Sequence, residues 1–251
     1  MEIIVTVQSN HPKLFISAPH PCPYIEPETA STVLLDPQFE VNNNLFSILL
    51  KSGFRRSGET IYRPHCRNCN ACVSVRIPAN EFTPNRAQRR TYRRNRDIYT
   101  TMVPAEFKEE HFDLYKRYQS WRHTGDIMDH DDPLRYREFM VDSSIETAFI
   151  EFRLNGKEGE LVGLAVCDLP DDGLSAVYTF FNPNMDKRSL GTFAIMKQLD
   201  YVREMGLEWV YLGYWIENCK KMNYKTTFKP MFGFVDKEWQ LLRPKADQTK
   251  V

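Results

Sequence analysis

The stretch from Thr147 to Phe181, TAFIEFRLNGKEGELVGLAVCDLPDDGLSAVYTFF, predicts three β-strands in succession. Apolar and β-branched residues concentrate at positions 147–154, 161–169 and 175–181. Two groups of turn-forming residues, Asn155-Gly156 and Asp171-Asp172-Gly173, separate these runs. Short turns of this kind join neighbouring antiparallel strands, so we expect three antiparallel strands connected by tight turns.

Helical patterns flank these strands on both sides. In chain order we predict helices at 105–121 and 132–140, the three strands, a helix at 189–205, a strand at 209–213, a helix at 217–228 and a strand at 234–241. Asp132-Pro133 is a start signal for the second helix, and Gly206 is a stop signal for the third. This order of elements resembles that of the N-acetyltransferase-like (GNAT) domains.

The first hundred residues predict shorter elements. We expect strands at 3–7, 14–17, 32–35 and 73–77, a hairpin around Ser57-Gly58 and a helix at 42–52 with Asn44 as its N-cap. The fold class that follows is α+β (mixed α/β). It has a smaller cysteine-bearing α/β amino-terminal half at 1–100, a GNAT-like carboxy-terminal domain at 101–243 and a flexible tail at 244–251.

The composition limits the classes of function. Lys+Arg and Asp+Glu both number 33 in 251 residues, so any site for a polyanion must be a local patch. The chain begins without a basic region followed by an apolar stretch, and no window approaches the length of a transmembrane helix. We therefore read the six cysteines as reduced and expect a cytoplasmic protein without a membrane partner.

Three cysteines follow one another at a regular interval in Cys66-Arg-Asn-Cys69-Asn-Ala-Cys72. Thiolates at this spacing can converge on one metal ion, and Cys22 could supply a fourth ligand. Zinc and an iron–sulfur cluster are the two candidates. The alternative is a metal-free group of reduced thiols. Cys167 and Cys219 are interpreted as small buried apolar residues.

A run of arginines without any acidic residue begins about ten residues later. It contains Arg86, Arg89, Arg90, Arg93, Arg94 and Arg96. At helical spacing these side chains form a basic stripe, and the guanidinium group suits phosphate because it can donate two hydrogen bonds. Pro84 can open this helix and Tyr92 could stack on a base. The run favours nucleic-acid binding, although a solvated helix face would show the same pattern.

The segment Arg188-Ser189-Leu190-Gly191-Thr192-Phe193 stands where GNAT domains usually bind a diphosphate. The arginine and the first glycine match that pattern, whereas Phe193 occupies a position that is usually small. We therefore expect the fold to act on an acyl donor other than coenzyme A.

Longer motifs now make a family resemblance visible. They are Cys22-Pro23-Tyr24, the segments 62–77, 85–90, 178–180, 188–192 and 211–216, and Lys221-Met222-x-Tyr224-Lys225-x-x-Phe228-x-Pro230. Together they resemble the aminoacyl-tRNA–protein transferases from about Pro21 to Trp239. The short chain is similar to the bacterial branch of that family. One position departs from the family pattern, since Phe232 stands where an acidic residue commonly follows the proline-apolar pair.

The resemblance implies transfer of leucine from leucyl-tRNA to the α-amine of proteins that begin with Asp or Glu, which marks them for degradation. It implies tRNA rather than DNA as the nucleic-acid partner and no cofactor for the chemistry. Arginyl transfer to the same acceptors is the alternative within the family. A noncatalytic zinc-bearing RNA-binding protein and an acetyltransferase that uses acetyl-CoA are the alternatives outside it.

Aminolysis of an ester by an amine needs alignment, stabilisation of an oxyanion and removal of a proton, but no enzyme nucleophile. We predict Tyr178, Tyr214 and Arg188 as catalytic residues, although both tyrosines could be core aromatics. The acceptor's carboxylate needs a cation, for which we predict Arg63 and Arg76, with Arg188 as a third candidate. Each of these arginines could instead form an ordinary surface ion pair. For tRNA we predict Arg86, Arg89, Arg90, Arg93 and Arg94.

Overall fold

The central feature of the fold is a large mixed β-sheet. The computed structural model describes residues 12–122, 132–217 and 219–243. In chain order the strands are β1 (Leu14–Ile16), β2 (His20–Pro21), β3 (Thr29–Ala30), β4 (Thr32–Leu35), β5 (Arg55–Ser57), β6 (Thr60–Pro64), β7 (Val73–Pro78), β8 (Ile98–Pro104), β9 (Thr147–Leu154), β10 (Leu161–Asp168), β11 (Gly173–Phe181), β12 (Trp209–Trp215), β13 (Phe232–Val235) and β14 (Glu238–Leu241).

The helices lie between these strands in the chain. They are α1 (Asn43–Lys51), α2 (Arg86–Arg94), α3 (Glu109–Arg122), α4 (Pro133–Tyr136) and α5 (Leu190–Glu204). A π-helical turn at Arg137–Val141 continues α4, and 3₁₀ helices occupy Pro183–Arg188 and Lys220–Thr227. None of the helices in the described ranges has the length and apolar character needed to span a lipid bilayer.

The large sheet has eight strands in the order β14-β13-β7-β12-β11-β10-β9-β8. The predicted antiparallel strands are confirmed, because β9 pairs with β10 and β10 pairs with β11 in that sense. β8 adds a further antiparallel strand, and β12 joins β11 in parallel after the crossover through α5. The mixed α/β class is therefore confirmed, and the order of strands and helices is that of a GNAT-like fold.

The core lies on both faces of this sheet. Every residue of β10 is buried, because helices cover the strand on both sides. On one face, Val162, Ala165 and Cys167 pack with the buried side of α5. On the other face, Leu164 and Val166 pack with α3 and α4. The strand at the centre of the sheet is thus held from both sides, which keeps its neighbour β11 in place.

A second, four-stranded sheet has the order β1-β4-β6-β5 and packs with α1. Its apolar cluster includes Trp209 and Tyr211 of the large sheet. In addition, β7 from the first hundred residues pairs with β12 and β13 inside the large sheet. A domain boundary near residue 100 stays a prediction, and both parts of the chain contribute strands to the large sheet.

Several element bounds differ from those predicted. The N-cap of α1 is Asn42 rather than Asn44, because the Asn42 side chain accepts a hydrogen bond from the Leu45 N–H at 2.9 Å. The predicted strand at 234–241 is two strands, since Asp236 and Lys237 have φ values of 52° and 65° and form a tight hairpin turn. The predicted helix at 217–228 is shorter and has 3₁₀ geometry.

Two further predictions lie outside the described residues, the strand at 3–7 and the tail at 244–251. The helix predicted at 105–121 begins only at Glu109, and residues 98–104, for which we predicted no strand, form β8. The arginine-rich helix begins after Asn85, whose side chain accepts hydrogen bonds from Ala87 and Gln88, while the Gln88 side chain bonds back to the Asn85 N–H. This capping box, rather than Pro84, starts the helix.

Candidate active site

A gap between β11 and β12 positions the candidate active site. The two strands are paired only from Gly173 to Ser175 on β11 and from Trp209 to Tyr211 on β12. Beyond that point both strands continue without pairing to each other, so backbone groups of β11 face the gap. The register of β12 against β7 also shifts between Tyr211 and Gly213, where Gly213 has a φ of 80°. Such a bulge bends a strand, and a positive φ favours glycine.

A cavity of about 610 Å³ occupies this gap. Its wall includes Tyr178 and Thr179 of β11 and Gly213 and Tyr214 of β12, with the end of α3 and the start of α5 closing the sides. Among the described residues, it is lined by the basic residues Arg55, Arg56, Arg122, Lys221 and Lys225, of which Arg56 is paired with Asp168, and by the acidic residue Asp186. The cavity therefore suits a ligand with negative charge.

Tyr178 of β11 is one of the residues that line this cavity. Its hydroxyl donates a hydrogen bond to Gln119 Oε1 at 3.4 Å, and Gln119 Nε2 donates to the Tyr115 hydroxyl at 2.6 Å. Burial, together with the neighbouring Tyr118 and Tyr115, raises the pKa of Tyr178. The hydroxyl therefore keeps its proton, which it donates to Gln119.

Tyr214 lies between this cavity and a second one. Its hydroxyl donates to the carbonyl oxygens of Gly53 at 3.0 Å and Tyr62 at 3.2 Å. Burial raises its pKa. Because its hydroxyl is satisfied by backbone groups, Tyr214 holds β12 against the four-stranded sheet.

Lys225 lines this cavity, and the sequence analysis quoted it in a family motif without assigning it a role. It follows β12 in the 3₁₀ helix Lys220–Thr227, is only 6% exposed, and donates a hydrogen bond to the carbonyl oxygen of Tyr214. Burial, followed by the positive charge of Arg55, lowers the pKa of Lys225 to about 7. No carboxylate in the described part of the chain forms an ion pair with it. A buried amine that is partly neutral near neutral pH can accept a proton.

Arg55 and Arg56 are adjacent in β5 but have different surroundings. Arg56 is paired with Asp168 of β10, with Nε–Oδ2 at 3.0 Å and Nη2–Oδ1 at 2.6 Å. Arg55 is 5% exposed and donates only from Nη2, to the Val75 carbonyl oxygen at 3.1 Å. Its Nε and Nη1 are enclosed by the protein and have no hydrogen-bond partner within the described residues. Sequence alone shows two arginines in a short strand and cannot show that one of them is buried without an anion.

Arg188 forms an ion pair with Asp97, which lies between α2 and β8. Its Nη1 and Nη2 donate to the two carboxylate oxygens of Asp97 at 2.7 and 2.9 Å, which lowers the pKa of Asp97. Its neighbours Asp186 and Ser189, but not Arg188 itself, line the cavity. The residue is therefore placed to hold the loop before α5.

Phe193 belongs to α5, and its side chain lies in the core. It is 3% exposed and packs against Tyr92 and Phe152 in the core. Phe193 is not among the residues that line the cavity, and the expectation of an acyl donor other than coenzyme A stays a prediction. Gly191 and Thr192 line the cavity at the start of α5.

The two arginines predicted to bind the acceptor lie elsewhere. The Arg63 guanidinium lies 5.0 Å from the centre of the Phe54 ring and donates to the Ser52 carbonyl oxygen. The Arg76 guanidinium lies between the rings of Trp209 and Trp239, at 3.6 and 4.3 Å from their centres. Neither of them lines the cavity between β11 and β12. Their role in acceptor binding stays a prediction.

Phe232, where the family resemblance led us to expect an acid, is the strand neighbour of Arg76. Its ring packs edge-on against Trp209 at 5.4 Å. An acid at this position would lie beside the Arg76 guanidinium. Here aromatic rings surround that guanidinium instead, and cation–π contacts stabilise it.

The four predicted cysteine ligands line the second cavity, of about 540 Å³, which lies beside the first. Cys22, Cys66, Cys69 and Cys72 are all half-buried free thiols. Burial, with the neighbouring Cys66 and Cys22 next in effect, raises the pKa of Cys72 to about 11. The donor type fits a soft metal, but in the described ranges no three potential ligands are arranged closely enough to hold an ion.

The predicted arginine stripe lies on the outer face of α2. Arg86, Arg89, Arg90, Arg93 and Arg94 are all exposed. Within the described chain none of them forms an ion pair with an acid. The opposite face is anchored through Tyr92, whose hydroxyl donates to Asp200 at 2.6 Å. Tyr92 is thus a packing residue against α5, and the prediction that it stacks on a base is not supported by its position.

The carboxyl end of α2 lies next to the first cavity's rim. Arg94 donates to the Lys187 carbonyl oxygen, and Asn95 donates to the Arg188 carbonyl oxygen at 2.9 Å. These contacts connect the basic helix to the loop that enters α5.

Sequence comparison defines the class of protein to which this fold and site belong. Residues 20–90 match the family described as arginine-tRNA-protein transferase, N terminus, and residues 110–234 match the family described as arginine-tRNA-protein transferase, C terminus. The chain belongs to this family of transferases.

Two individual proteins are similar to this chain over most of its length. The aspartate/glutamate leucyltransferase of Pseudomonas putida strain F1 is 48% identical over 230 residues, which is 92% of this chain and 97% of the relative. The protein of the same name from Hahella chejuensis is 46% identical over 227 residues, which is 90% of this chain and 96% of the relative.

Among solved structures, the L-PGS of Bacillus licheniformis aligns over 58% of this chain and 47% of its own, with 13% identity and a TM-score of 0.43. A GCN5-related glucosamine N-acetyltransferase region of a fungal GH3 β-N-acetylglucosaminidase aligns over 75% of this chain and 21% of its own. The identity there is 8% and the TM-score 0.42.

Proposed function

We propose that this protein transfers leucine from leucyl-tRNA to the α-amine of proteins whose first residue is Asp or Glu. The observation that carries the proposal is the cavity between β11 and β12 with its basic lining, together with the contacts of Arg94 and Asn95 to the loop that enters α5 at this cavity. The near-complete match to the aspartate/glutamate leucyltransferases supports leucine as the transferred group. The products would carry a destabilising first residue and enter N-terminus-dependent degradation. Because the reaction consumes aminoacyl-tRNA, we place it in the cytoplasm.

The reaction is one acyl transfer. The acceptor's amine nitrogen attacks the ester carbonyl carbon of leucyl-tRNA, a C–N bond forms and the C–O bond to the ribose breaks. The nitrogen loses a proton and the ribose oxygen gains one. Alignment of two substrates in one cavity can supply roughly 7–11 kcal/mol of the rate enhancement. We propose that N–H groups of the unpaired stretch of β11 donate hydrogen bonds to the developing oxyanion, and that the Tyr178 hydroxyl does so after it gives up its hydrogen bond to Gln119.

Lys225 is the group that fits the role of proton acceptor. It is buried in the same cavity as Tyr178, and its pKa of about 7 makes its amine partly neutral near neutral pH. A neutral amine can take the proton that the attacking nitrogen loses and can return it to the leaving ribose oxygen. We also assign the return of the proton to the ribose oxygen to Lys225, because the reaction then needs no second acid.

A transfer assay tests the proposed function. Purified protein is given leucyl-tRNA or arginyl-tRNA, labelled in the amino acid, and peptides that begin with Asp, Glu, Lys or Arg. We expect leucine on the Asp and Glu peptides alone, and no product when the peptide's α-amine is acetylated. Preferred use of arginyl-tRNA would mean that arginine, and not leucine, is the transferred group. Binding of tRNA without transfer to any peptide would favour a noncatalytic RNA-binding protein.

We propose that α2 holds the tRNA backbone. Changing Arg89, Arg90 and Arg93 together to Ala should weaken leucyl-tRNA binding and flatten its salt dependence, because each lost phosphate contact lowers the slope of log affinity against log salt by about 0.7–0.9. Fluorescence titrations at several salt concentrations measure this slope. The peptide KM at saturating tRNA should change little. An unchanged slope would mean that the stripe is only a solvated face.

A structural metal on Cys22, Cys66, Cys69 and Cys72 also stays a proposal. Such an ion would tie the segment between β2 and β3 to the segment between β6 and β7, and no catalytic step depends on it. Elemental analysis and a visible spectrum of protein purified without oxygen test it, since zinc is colourless and an iron–sulfur cluster absorbs. Protein that carries neither zinc nor iron would contradict the proposal. The Cys66→Ala variant should then bind tRNA normally.

A further inference from the structure

Trp121, at the carboxyl end of α3, is an exposed aromatic residue in the wall of the cavity between β11 and β12. The residue is 47% exposed. The other three tryptophans of the chain, Trp209, Trp215 and Trp239, do not line this cavity. An indole ring gains favourable contact area when a flat apolar surface covers it. Its exposure in a cavity wall therefore indicates a surface for a ligand.

Two other aromatic rings hold Trp121 in place. The centre of its ring lies 5.9 Å from that of Tyr118, one turn earlier in α3, and 6.3 Å from that of Phe181 in β11. The rings of Tyr118 and Phe181 also contact each other, with their centres 5.1 Å apart. These contacts fix the indole ring and still leave almost half of the residue uncovered. The surface is therefore formed before a ligand arrives, which lowers the entropy that binding costs.

A second exposed ring lines the same cavity. Tyr224 is 48% exposed and lies in the 3₁₀ helix Lys220–Thr227, which packs against β12. Trp121 lies in α3, which packs against β11. One exposed ring therefore comes from the β11 side of the gap and one from the β12 side.

Cationic groups accompany both rings. Arg122 Cζ lies 5.8 Å from the centre of the Trp121 ring, and Lys225 Nζ lies 6.0 Å from the centre of the Tyr224 ring. Lys221 lines the same cavity and is exposed. Aromatic rings that stack on bases, beside cations that attract phosphates, are the combination with which proteins bind single-stranded nucleic acid. This part of the wall therefore suits a nucleotide.

Resting on the proposed transferase function, we propose that Trp121 stacks on the base of the terminal adenosine of leucyl-tRNA and that Tyr224 extends this stacking surface. Every tRNA ends in the sequence CCA, and its amino acid is esterified to the ribose of the terminal adenosine. One ribose therefore separates the base from the reacting ester carbonyl. The Tyr118 ring, which packs on Trp121, also packs on Tyr178 at 6.4 Å between ring centres. A base on Trp121 thus brings the ester carbonyl towards the part of the cavity that Tyr178 lines.

The acceptor protein is a less suitable occupant of this surface. The proposed function defines only the first residue of the acceptor, an Asp or a Glu, and neither side chain has a flat ring. The adenine base, by contrast, is the same in every donor. Because all tRNAs share it, stacking on Trp121 positions the ester without distinguishing leucyl-tRNA from arginyl-tRNA.

The test removes the base and the ring separately. Two fluorescein-labelled RNA hairpins that mimic the acceptor stem are compared, one ending in CCA and the other in CC followed by a ribose without a base. We expect the parent protein to bind the CCA hairpin about 5- to 150-fold more tightly, the usual contribution of one stacked base. Trp121→Ala should abolish this difference and leave the Kd of the abasic hairpin unchanged. Fluorescence anisotropy measures both constants.

Tryptophan fluorescence reports the contact directly. A stacked base quenches indole emission, so an unlabelled CCA hairpin should quench the parent protein and the abasic hairpin should not. Trp121→Phe keeps a ring that can stack, so it should retain most of the preference for CCA and lose the quenching. Tyr99→Ala is the matched control, because Tyr99 is an aromatic residue that is 44% exposed and lies outside both cavities. It should keep the preference and the quenching.

A preference for CCA that persists in folded Trp121→Ala overturns the inference, and so does an equal fall in affinity for both hairpins or quenching that persists in Trp121→Phe. If the thermal unfolding midpoint shows that Trp121→Ala does not fold, Trp121→Phe and Tyr224→Leu decide. Tyr224→Leu should reduce the preference for CCA at an unchanged midpoint. Leucine transfer by a parent protein that has no preference for CCA also overturns the inference. A preference for CCA without leucine transfer to any peptide overturns the proposed function instead.

Discussion

Replacing Asp168 with alanine is expected to lower the free energy of unfolding by about 3–5 kcal/mol, because it leaves the buried Arg56 guanidinium without its partner. The side chains of Arg56 and Asp168 are 2% and 0% exposed, and Nη2 and Oδ1 are 2.6 Å apart. This pair joins β5 of the four-stranded sheet to β10 at the centre of the large sheet. Urea unfolding followed by circular dichroism and by tryptophan fluorescence measures the change.

Two controls identify the cause of that loss. The double variant Arg56→Met with Asp168→Leu removes both charges and should be about as stable as the parent, since a buried ion pair seldom outperforms apolar packing. Asp171→Ala removes an acid whose bond with Lys51 is also short, 2.8 Å, but whose side chain is 55% exposed. That change should cost less than about 1 kcal/mol. If Asp168→Ala lowered the free energy of unfolding by a similarly small amount, that result would show that water reaches the ion pair of Arg56 and Asp168.

Replacing Lys225 with methionine is expected to lower kcat at neutral pH by about 100-fold or more, the usual contribution of a general base. Burial and the charge of Arg55 depress the pKa of Lys225 to about 7, so the amine is protonated below this value and neutral above it. The kcat of the parent should therefore rise as pH increases through about 7 and then level off. Lys225→Met should lose that rise. Rates at saturating tRNA and peptide measure both effects.

Lys225→Arg separates proton acceptance from positive charge. An arginine stays charged at every pH of the assay and cannot accept the proton, so this variant should be as slow as Lys225→Met. Activity retained in Lys225→Arg would assign the residue an electrostatic role instead. Lys221→Met is the matched control, because Lys221 lines the same cavity but is exposed. Its pH profile should keep the rise near pH 7.

The elements that the sequence predicted well are those whose signals are local. Asn155-Gly156 and Asp171-Asp172-Gly173 enforce turns, so the ends of β9, β10 and β11 lie within two residues of the predicted positions. The apolar stripe of α5 and its stop at Gly206 are equally local. By contrast, the run 234–241 has one apolar pattern, and only the positive φ values at Asp236 and Lys237 show that it folds back on itself.

By itself the sequence determined the three antiparallel strands β9, β10 and β11, the helix that crosses to β12, the exposed arginine stripe and the grouping of Cys66, Cys69 and Cys72. Each of these depends on neighbours in the chain. The tertiary structure alone decided which charged groups are buried and which of them have partners. Arg55 and Arg56 are adjacent arginines, yet Asp168, which is 112 residues from Arg56, pairs with one of them and leaves the other unpaired. Lys225 becomes a candidate base only because folding removes it from water beside Arg55. Burial and long-range charge pairing arise from the packing of distant segments, and no local pattern encodes them.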